Sequence, residues 1–337
     1  MTITRRSALA FALLASSGLP ALAADKVGVG ILRFVSSGGL YLAVERGYFK
    51  AENIDIDLKF FEAAQPIAVA VASGDVQFGL TGISGGSLNL AAKGAMKIIA
   101  GQGGEKKGVV GNTLVASNEA HAKGIASFEK VGGASVAITQ VGSTFHYQLG
   151  QIATAKGFPL ASVQMKPMQS LPNMIAAVKT NQVDAAILPP HIAGPMAQRG
   201  EVKIIGPLSD IADYQYGALF AATKLVNDNR DLAQRFVRAY VKGLKDYNAA
   251  FMRKDAQGNR ATDEAAMKAG AEIGKYVFAS DAPDVAAKKV IASAVFCDPD
   301  GKLDTANIEQ QVAWYKAEKL VDAGLDAKAI LDTRFTQ

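Results

Sequence analysis

Apolar stretches alternate with small polar stretches along most of the chain. An apolar, β-branched run over 27–32 predicts a strand buried on both faces. Apolar residues at three- and four-residue spacings over 40–49 predict a helix, and alternation over 54–58 predicts a second strand. The order strand, loop, helix, strand predicts one β-α-β unit of an open parallel sheet.

Similar patterns return further along the chain. Residues 68–82 and 173–190 both run through a predicted helix, a polar turn, a valine and a strand, and the strand predicted over 134–139 is followed by a loop like the first one. We interpret this as a weak internal duplication, with chance similarity as the alternative because β-α-β units are common. The apolar run over 113–116 predicts the first crossing into a second lobe, and Glu105 to Lys107 are expected at a solvated loop tip.

The last third of the chain has a different pattern. Apolar faces at helical spacing predict four helices, over 232–251, 263–276, 282–295 and 305–319. No glycine-rich loop interrupts this region, so we expect it to brace the first lobe and the hinge. Trp314 and Tyr315 are predicted to pack in a core, because aromatic residues at helical spacing usually do so.

The N-terminus adds a targeting signal. Arg5 and Arg6, an apolar stretch over 8–14 and the small residues Ala21-Leu22-Ala23 predict a signal peptide over 1–23. The pair of arginines is a partial twin-arginine pattern, so the Sec and Tat routes both stay open. No later apolar run is long enough to span a bilayer. We therefore expect an exported protein.

Charge and cysteine content narrow the function. The formal charge is +5, and removing the two arginines of the predicted signal peptide leaves +3 without a basic block, which argues against nucleic acid as a partner. Cys297 is the single cysteine, so no internal disulfide is expected. A chain of 337 residues with 49% hydrophobic content is large enough for two domains of roughly 100–200 residues.

Small hydrogen-bonding residues follow the first predicted strand. Ser36, Ser37 and Gly38 lie where the first helix begins. In an open parallel sheet this loop carries the unpaired N–H groups of the helix toward the crevice where ligands bind. The alternative is a serine and glycine turn that only caps a helix.

One motif suggests an enzyme. Gly82-Ile-Ser84-Gly-Gly86 fits the G-x-S-x-G pattern between a predicted strand and a predicted helix. Asp184 and His191 follow in the order of a hydrolase triad, but no HGGG-type oxyanion motif precedes the serine. A secreted serine hydrolase using Ser84 therefore remains an alternative function.

The histidines do not predict a metal site. His121, His146 and His191 are far apart and form no H-E-x-x-H pairing. His146, in the first turn of a predicted helix, and His191, after Pro189 and Pro190 at a strand end, are both expected near the crevice; for each, a histidine satisfied by its neighbours is the alternative. No third glycine at dinucleotide spacing and no G-K-[ST] phosphate loop is present, so no nucleotide cofactor is expected.

Two further stretches carry a resemblance to a known family. These are LYLAVERGYF over 40–49, with NIDID over 53–57 after it, and Ser73-Gly-Asp75. They resemble the periplasmic solute-binding proteins of nitrate/sulfonate/taurine-type ABC importers. This group also includes pyrimidine-precursor binders. The likeness covers essentially the whole mature chain. It implies a two-lobed α/β fold of periplasmic-binding-protein type II, each lobe a mainly parallel sheet flanked by helices, with two crossing hinge segments.

The resemblance also implies a domain division and a site. Lobe 1 is expected to comprise 24–115 and 217–337, and lobe 2 to comprise 116–216. Ligand contacts are implied at loops from both lobes, namely Ser36, Ser37, Gly38, Gln65, Ser84, Gly85, Gly142, Ser143, Thr144, His146, Pro190 and His191. Phe34 and Phe145 are expected to flank a flat ligand. Arg33 is a candidate partner for a carboxylate or sulfonate, with a surface position as its alternative.

The function implied by the resemblance is binding without chemistry. The protein is expected to be periplasmic and monomeric, to close its lobes on a small organic solute and to deliver it to an ABC permease in the inner membrane, which works with a cytoplasmic ATPase. The expected solute is an anion such as a sulfonate or carboxylate, with an aromatic one included. No catalytic residue, metal or cofactor is implied. A sensory module on the same fold remains open beside the transport function.

Overall fold

The structure is a computed structural model that describes residues 23–255 and 257–336, so the predicted signal peptide lies outside the described residues except for Ala23. The strands in chain order are β1 (Asp25–Ile31), β2 (Ile54–Phe60), β3 (Phe78–Gly82), β4 (Met96–Gly101), β5 (Gly103–Glu105), β6 (Thr113–Ala116), β7 (Ser135–Ile138), β8 (Gln164–Pro167), β9 (Ala185–Leu188), β10 (Lys203–Pro207), β11 (Tyr214–Gln215), β12 (Gly217–Ala222) and β13 (Phe296–Cys297).

The helices connect and cover these strands. In chain order they are α1 (Gly38–Glu45), α2 (Tyr48–Ala51), α3 (Ala64–Ser73), α4 (Gly85–Ala92), α5 (Asn118–Ala122), α6 (Thr144–Lys156), α7 (Leu171–Lys179), α8 (Pro190–Gln198), α9 (Thr223–Asp228), α10 (Arg230–Phe251), α11 (Glu264–Val277), α12 (Pro283–Ser293), α13 (Thr305–Ala317) and α14 (Ala327–Ile330). No helix in the described ranges combines the length and the apolar content needed to cross a membrane.

The strands form two sheets with the same connectivity. The first has the order β2-β1-β3-β12-β4 and the second has the order β8-β7-β9-β6-β10. β1 runs parallel to β2 and β3, as β7 does to β8 and β9. In each sheet the strand that follows a crossing between the lobes, β12 or β6, is inserted antiparallel to its neighbours. We call the first sheet with its helices lobe 1 and the second sheet with its helices lobe 2.

Two segments connect the lobes, over 102–112 and 208–216. Between the lobes, β5 pairs antiparallel with β11 and β13 in a small separate sheet. β6 is hydrogen-bonded within the second sheet, so the first crossing lies before Thr113. The exact domain division, expected over 24–115 with 217–337 and over 116–216, remains a proposal.

The core of lobe 1 is continuous and contains many aromatic side chains. Phe78 on β3 stacks on Phe236 of α10 with ring centroids 3.8 Å apart, and Phe49 of α2 lies 4.8 Å from the same ring. The crossing of α10 with α1 requires glycine, because a Cβ at Gly243 would lie 2.0 Å from the carbonyl oxygen of Gly39. The predicted C-terminal helices correspond to α10–α13, and the side chains of Asn229 and Asp263 cap the first two of them.

The core of lobe 2 consists of two thinner clusters, one on each face of its sheet. Along β9, Ala185 and Ile187 belong to one cluster, whereas Ala186 and Leu188 belong to the other. This division follows from the strand geometry, in which successive side chains point to opposite faces. Both faces are covered by helices, so the strand is apolar throughout.

One local expectation was wrong. Glu105 does not lie at a solvated loop tip, because it is the last residue of β5 and only 2% exposed. Lys106 and Lys107, which follow it, are exposed. The polar tripeptide gave no local sign that its first residue enters a buried sheet between the lobes.

Candidate ligand-binding site between the lobes

A cavity lies between the two lobes, at the carboxyl ends of their parallel strands. The loops that follow β1 and β2 and the end of β3 line it from lobe 1, and the loops that follow β7, β8 and β9 line it from lobe 2. The volume of the cavity is about 60 Å³. The position agrees with the general rule that open α/β sheets bind ligands at the carboxyl ends of their strands.

The wall from lobe 1 is a serine-containing turn. After β1 the chain forms a 3-10 turn over Val35–Ser37 that leads directly into α1. The hydroxyl of Ser37 donates to the carbonyl oxygen of Leu32 at 3.3 Å and accepts from Nε2 of Gln102 at 3.2 Å. Ser37 therefore connects the first loop to the first segment that crosses between the lobes.

The wall from lobe 2 is the N-terminus of α6. Ser143 is the N-cap, and its hydroxyl accepts from the backbone N–H of His146 at 3.3 Å. Thr144 and Phe145 form the first turn and line the cavity. Their N–H groups have no partner within the helix, because the first turn of any helix leaves its donors unpaired. The positive end of the helix dipole therefore faces the cavity.

His191 closes the lobe 2 wall after β9. It follows Pro189 and Pro190, which have no N–H to offer a ligand, and its ring lies 5.2 Å from that of Phe34 in lobe 1. Burial lowers the pKa of His191 to about 3, so the imidazole is neutral at ordinary pH. Its Nδ1 atom is buried without a hydrogen-bond partner among the described residues.

Hydrogen bonds join the two lobes beside the cavity. The hydroxyl of Thr144 donates to the carbonyl oxygen of Ile83 at 2.8 Å, and the N–H of Gly85 donates to the carbonyl oxygen of Gly142 at 2.9 Å. A Cβ at Gly82 would lie 2.5 Å from Oγ1 of Thr144. The approach of the two lobes thus depends on a glycine at the end of β3.

The predicted site residues fall into two groups. Those that line the cavity are Phe34, Ser36, Ser37, Ser143, Thr144, Phe145, Pro190 and His191. Those that do not line it are Arg33, Gly38, Gln65, Ser84, Gly85, Gly142 and His146. Serine-containing loops from separate lobes therefore meet at one cavity. The predicted residues outside the lining have other contacts.

Arg33 points away from the cavity. The residue is exposed, its guanidinium carbon lies 3.7 Å from the centre of the Phe60 ring, and its Nη1 donates to the carbonyl oxygen of Tyr276 at 3.1 Å. In a buried strand end, one residue points inward and the next outward. The surface position named as the alternative for Arg33 is the observed one.

The remaining residues outside the lining have packing or capping roles. A Cβ at Gly38 would lie 2.7 Å from the Tyr247 ring, so Gly38 lets α1 approach α10. Gln65 packs against Gly86 and accepts from Nε2 of Gln140 at 3.5 Å across the lobes. His146 accepts through Nδ1 from the N–H of Gly142 at 3.0 Å and so faces its own loop.

The geometry gives no hydrolase triad. Ser84 is 1% exposed and forms a capping box with Ser87 at the start of α4. Oδ2 of Asp184 accepts from the N–H and the hydroxyl of Ser135 at 2.7 Å each. Within 23–255 and 257–336, no histidine is hydrogen-bonded to Ser84, so the G-x-S-x-G pattern here is a helix-capping sequence.

The sequence analysis did not single out several residues that line the cavity. Thr81 comes from the end of β3, Thr139 from the loop after β7, and Gln102, Asn112 and Tyr216 from the connecting segments. The hydroxyl of Thr81 is buried without a partner in the described part of the chain. The predicted crossings between the lobes near residues 113 and 216 were the sequence features that could have indicated Gln102, Asn112 and Tyr216 as lining residues.

A buried carboxyl lies behind the cavity. Oε1 of Glu105 accepts from the N–H of Asn112 at 3.1 Å and from Nε2 of Gln148 at 3.3 Å. Its Oε2, Oε1 of Gln148 and the hydroxyl of Tyr214 are buried without hydrogen-bond partners among the described residues. Burial raises the pKa of Glu105 to about 8, although the bond from Asn112 opposes the shift. Glu105 is therefore protonated at neutral pH and connects both crossing segments to α6.

Comparison with known proteins gives one family match. The model of the family described as NMT1/THI5 like matches residues 35–250. No curated protein sequence matches the chain. The family match includes most of both lobes and both connecting segments.

Many solved structures share the fold. The alkanesulfonate-binding protein SsuA from Xanthomonas axonopodis pv. citri, bound to MOPS, is 15% identical with a TM-score of 0.70, covering 92% of this chain and 100% of that chain. The periplasmic nitrate-binding protein NrtA from Synechocystis PCC 6803 is 15% identical with a TM-score of 0.69, covering 93% and 86%.

A third neighbour binds a different kind of ligand. The ligand-binding component of an ABC-type import system from Staphylococcus aureus, with zinc bound, is 14% identical with a TM-score of 0.71, covering 93% of this chain and 98% of that chain. In the described part of this chain, no three His, Cys, Asp or Glu side chains come together as metal ligands. These likenesses establish the two-lobed periplasmic-binding-protein fold, and the neighbours differ in what they bind.

Proposed function

Because the chain belongs to the NMT1/THI5-like family, we propose that it is the periplasmic substrate-binding component of an ABC importer. In this role it captures a small organic solute between its lobes and delivers it to a permease in the inner membrane, which works with a cytoplasmic ATPase. The protein acts as a monomer and performs no chemistry on the solute.

The observation that carries this proposal is the meeting of two equivalent loops at one cavity. Ser37 after β1 and Ser143 after β7 belong to different lobes and line the same space. Hydrogen bonds from Thr144 to Ile83 and from Gly85 to Gly142 join the lobes beside it. Lobes that close around a ligand enclose it, and such closure is a recurrent way of coupling binding to a conformational change.

Transport neighbours support the same proposal. The similar structures include binding components named for sulfonate and nitrate transport and an import-system component with zinc. The predicted signal peptide over 1–23 agrees with a periplasmic location. A hydrolase has less support, because Ser84 is enclosed in a capping box without a histidine partner.

Ligand binding can be tested with the single tryptophan. Trp314 of α13 packs against α6 of lobe 2, with its ring 5.1 Å from that of Tyr147. We expect a solute screen of sulfonates, carboxylates, amides and neutral aromatic compounds to give a binder that raises the melting temperature and changes the tryptophan emission. Because a ligand that binds only the folded state stabilises it by an amount that rises with the logarithm of its concentration above Kd, the shift should grow with added solute.

A variant pair distinguishes closure from general stability. Thr144→Val removes the hydroxyl that bonds to Ile83 across the lobes, whereas Thr180→Val removes an exposed hydroxyl bonded to Ala176 at the end of α7. We expect a loss of affinity of about tenfold for the first variant only, the value of one lost hydrogen bond. If no solute of any class binds the wild-type protein, the proposed function is wrong.

A further inference from the structure

A carboxyl group and an amide meet at the boundary between the lobes. Glu105 ends β5 in the small sheet, whose other strands carry Tyr214 and Cys297 of the lobe 1 core. Gln148 lies on α6, where the next residue, Leu149, belongs to a core cluster of lobe 2. Nε2 of Gln148 donates to Oε1 of Glu105 at 3.3 Å. This hydrogen bond therefore joins the two lobes.

Each of the two groups has one buried oxygen without a partner in the described part of the chain. These atoms are Oε2 of Glu105 and Oε1 of Gln148, on residues that are 2% and 0% exposed. A Cβ at Gly111 would lie 1.6 Å from Oε2, so the backbone there covers this oxygen. An ionised carboxyl group and an amide oxygen only accept hydrogen bonds, whereas a protonated carboxyl group also donates one. Because buried polar atoms normally have partners, a proton on Glu105 supplies the donor that this pair lacks.

The groups around Glu105 also favour its protonated form. Lys106, the next residue, is exposed and paired with Asp213 at 3.0 Å. The buried titratable groups on the elements packed against Glu105 are neutral at ordinary pH, because burial raises the pKa of each phenol and thiol and lowers the pKa of the imidazole. They are Tyr214 and Tyr216 of the second connecting segment, Tyr147 and His146 of α6, and Cys297 of β13. Burial raises the pKa of Glu105 itself to about 8, although the hydrogen bond from Asn112 opposes the shift.

The part of α6 that carries Gln148 is a contact between the lobes. Tyr147 belongs to the lobe 1 core, and Gly150 lies against the Trp314 ring of α13. The first turn of the same helix lines the cavity. A separation of the lobes would therefore draw Gln148 away from Glu105 and admit water to both groups.

We infer that Glu105 and Gln148 form a pH-sensitive contact between the lobes, in which closure takes up one proton at Glu105. With the lobes in contact, as in this structure, the proton provides the donor that the buried pair lacks. With the lobes apart, the carboxyl group is hydrated and releases its proton to water. Acidic conditions therefore favour contact between the lobes, and alkaline conditions favour their separation and the release of the solute. This inference rests on the proposed function, in which the lobes close around a solute.

The pH range of the effect follows from the two pKa values of Glu105. With the lobes in contact the pKa is about 8, and for a hydrated carboxyl group it is the usual 4.5. The contribution of the proton to lobe contact is therefore complete below pH 4.5 and is lost as the pH rises through 8. Because one proton is involved, the ratio of separated to contacting forms changes by up to about tenfold per pH unit between these values.

Two measurements on the solute-free wild-type protein test the inference. Infrared spectroscopy detects the carbonyl stretch of a protonated carboxyl group, and small-angle X-ray scattering detects separation of the lobes as a rise in the radius of gyration. We expect the carboxyl band to disappear and the radius of gyration to rise together, with one midpoint above pH 5 and no higher than about pH 8. A carboxyl midpoint at the usual value of 4.5 overturns the assigned proton. A radius of gyration that stays constant during the titration overturns the link to closure.

A matched pair of variants assigns the effect to Glu105. Glu105→Gln provides the missing donor at every pH, because its amide does not ionise. We expect its radius of gyration to stay constant from pH 5 to pH 9, without the carboxyl band of the wild type. Glu119→Gln removes an exposed carboxyl group that is paired with Lys123 on α5, and it should behave as the wild type does. Separation of the lobes in Glu105→Gln at the same pH as in the wild type overturns the inference.

The inference and the proposed function can fail separately. The shared midpoint in the wild-type protein is measured without a solute and without either variant, so it decides the inference even if Glu105→Gln does not fold. A solute screen without any binder would contradict the proposed function, whatever the dependence of the radius of gyration on pH.

Discussion

The two lobes share one strand connectivity but differ in how they are supported. In both sheets, the strand that follows a crossing between the lobes is inserted antiparallel beside the third parallel strand. Lobe 1 has a continuous core that includes α10–α12, whereas the core of lobe 2 is divided into two clusters by its own sheet. The two lobes thus share a strand order but differ in the size of their cores. We expect lobe 2, which has the smaller core clusters, to move on ligand release.

The cavity walls are similar in their hydroxyl groups and differ after the third parallel strand. Lobe 1 contributes Ser36, Ser37 and Thr81, lobe 2 contributes Thr139, Ser143 and Thr144, and lobe 2 adds the Pro-Pro-His sequence over 189–191. After the third parallel strand, lobe 1 lines the cavity with Thr81 and Gly82 at the strand end, whereas lobe 2 lines it with Pro189 and Pro190, which have no backbone donors. Two sheets with the same strand order therefore place different chemistry on the two sides of one cavity.

The largest expected effect concerns the core of lobe 1. Phe236 is fully buried between Phe78 and Phe49, so Phe236→Ala should lower the free energy of unfolding by about 3–5 kcal/mol. The smaller truncation Ile187→Val in lobe 2 should cost about 0.5–1.5 kcal/mol. Urea unfolding followed by circular dichroism measures both. A loss of less than about 1 kcal/mol in Phe236→Ala would contradict its position at the centre of the lobe 1 core.

The next effect concerns the connection between the lobes. Glu105 has a folded-state pKa of about 8, above its usual value of 4.5. The folded protein therefore holds a proton that the unfolded chain releases, and this stabilisation is complete below pH 4.5 and is lost as pH rises through 8. Between these values the stability should fall by up to about 1.4 kcal/mol per pH unit on account of this group.

The variant Glu105→Gln tests this pH dependence, because glutamine keeps the hydrogen-bonding shape without titrating. Unfolding free energies measured from pH 5 to pH 8 should decline less steeply in the variant than in the wild type. Parallel curves for the two proteins would show that Glu105 is ionised in the folded state and that the proposed proton is absent.

A smaller effect concerns the contact of α13 with lobe 2. A Cβ at Gly150 of α6 would lie 2.5 Å from the Trp314 ring, whereas a Cβ at Gly194 of α8 would meet nothing within 4 Å. Gly150→Ala should therefore cost about 1–3 kcal/mol through overpacking and change the tryptophan emission. Gly194→Ala should be neutral or stabilise the helix by up to about 1 kcal/mol. Unchanged emission in Gly150→Ala would refute this packing.

The smallest effect compares the equivalent helix caps. Ser84 caps α4 in lobe 1 and Ser143 caps α6 in lobe 2, so either serine changed to alanine should cost about 1 kcal/mol of stability. Only Ser143 lines the cavity, and we therefore expect solute affinity to fall in Ser143→Ala alone. Calorimetric titration with the solute identified in the screen measures this difference. A loss of binding in Ser84→Ala would instead indicate that the Gly82–Gly86 loop contributes to the binding site.

Local signals predicted the scaffold well. The strand over 27–32, the helix that follows it and the capped helices of the C-terminal third depend on periodicity, caps and short-range spacing. The structure has them as β1, α1 and α10–α13. The meeting of Ser37 and Ser143 was implied by the resemblance to periplasmic solute-binding proteins, and both residues line one cavity in the structure.

Side-chain directions within those loops were not predictable from the sequence. Arg33 and Phe34 are neighbours, yet Arg33 is exposed and Phe34 lines the cavity. Ser84 and Ser143 both follow strands and cap helices, but only Ser143 reaches the cavity. Contacts between distant segments decide such cases, as where the guanidinium of Arg33 lies over the Phe60 ring and donates to the carbonyl oxygen of Tyr276.

The sequence by itself determined the alternation of strands and helices, the apolar faces and the helix caps, because these depend on residues a few positions apart. The tertiary structure alone decided that Glu105 is buried, that Arg33 faces outward and that Asn112 and Thr81 join the site. Each of these depends on the approach of the two lobes, which brings together segments far apart in the chain. The charge of the cavity is therefore a property of the assembled fold.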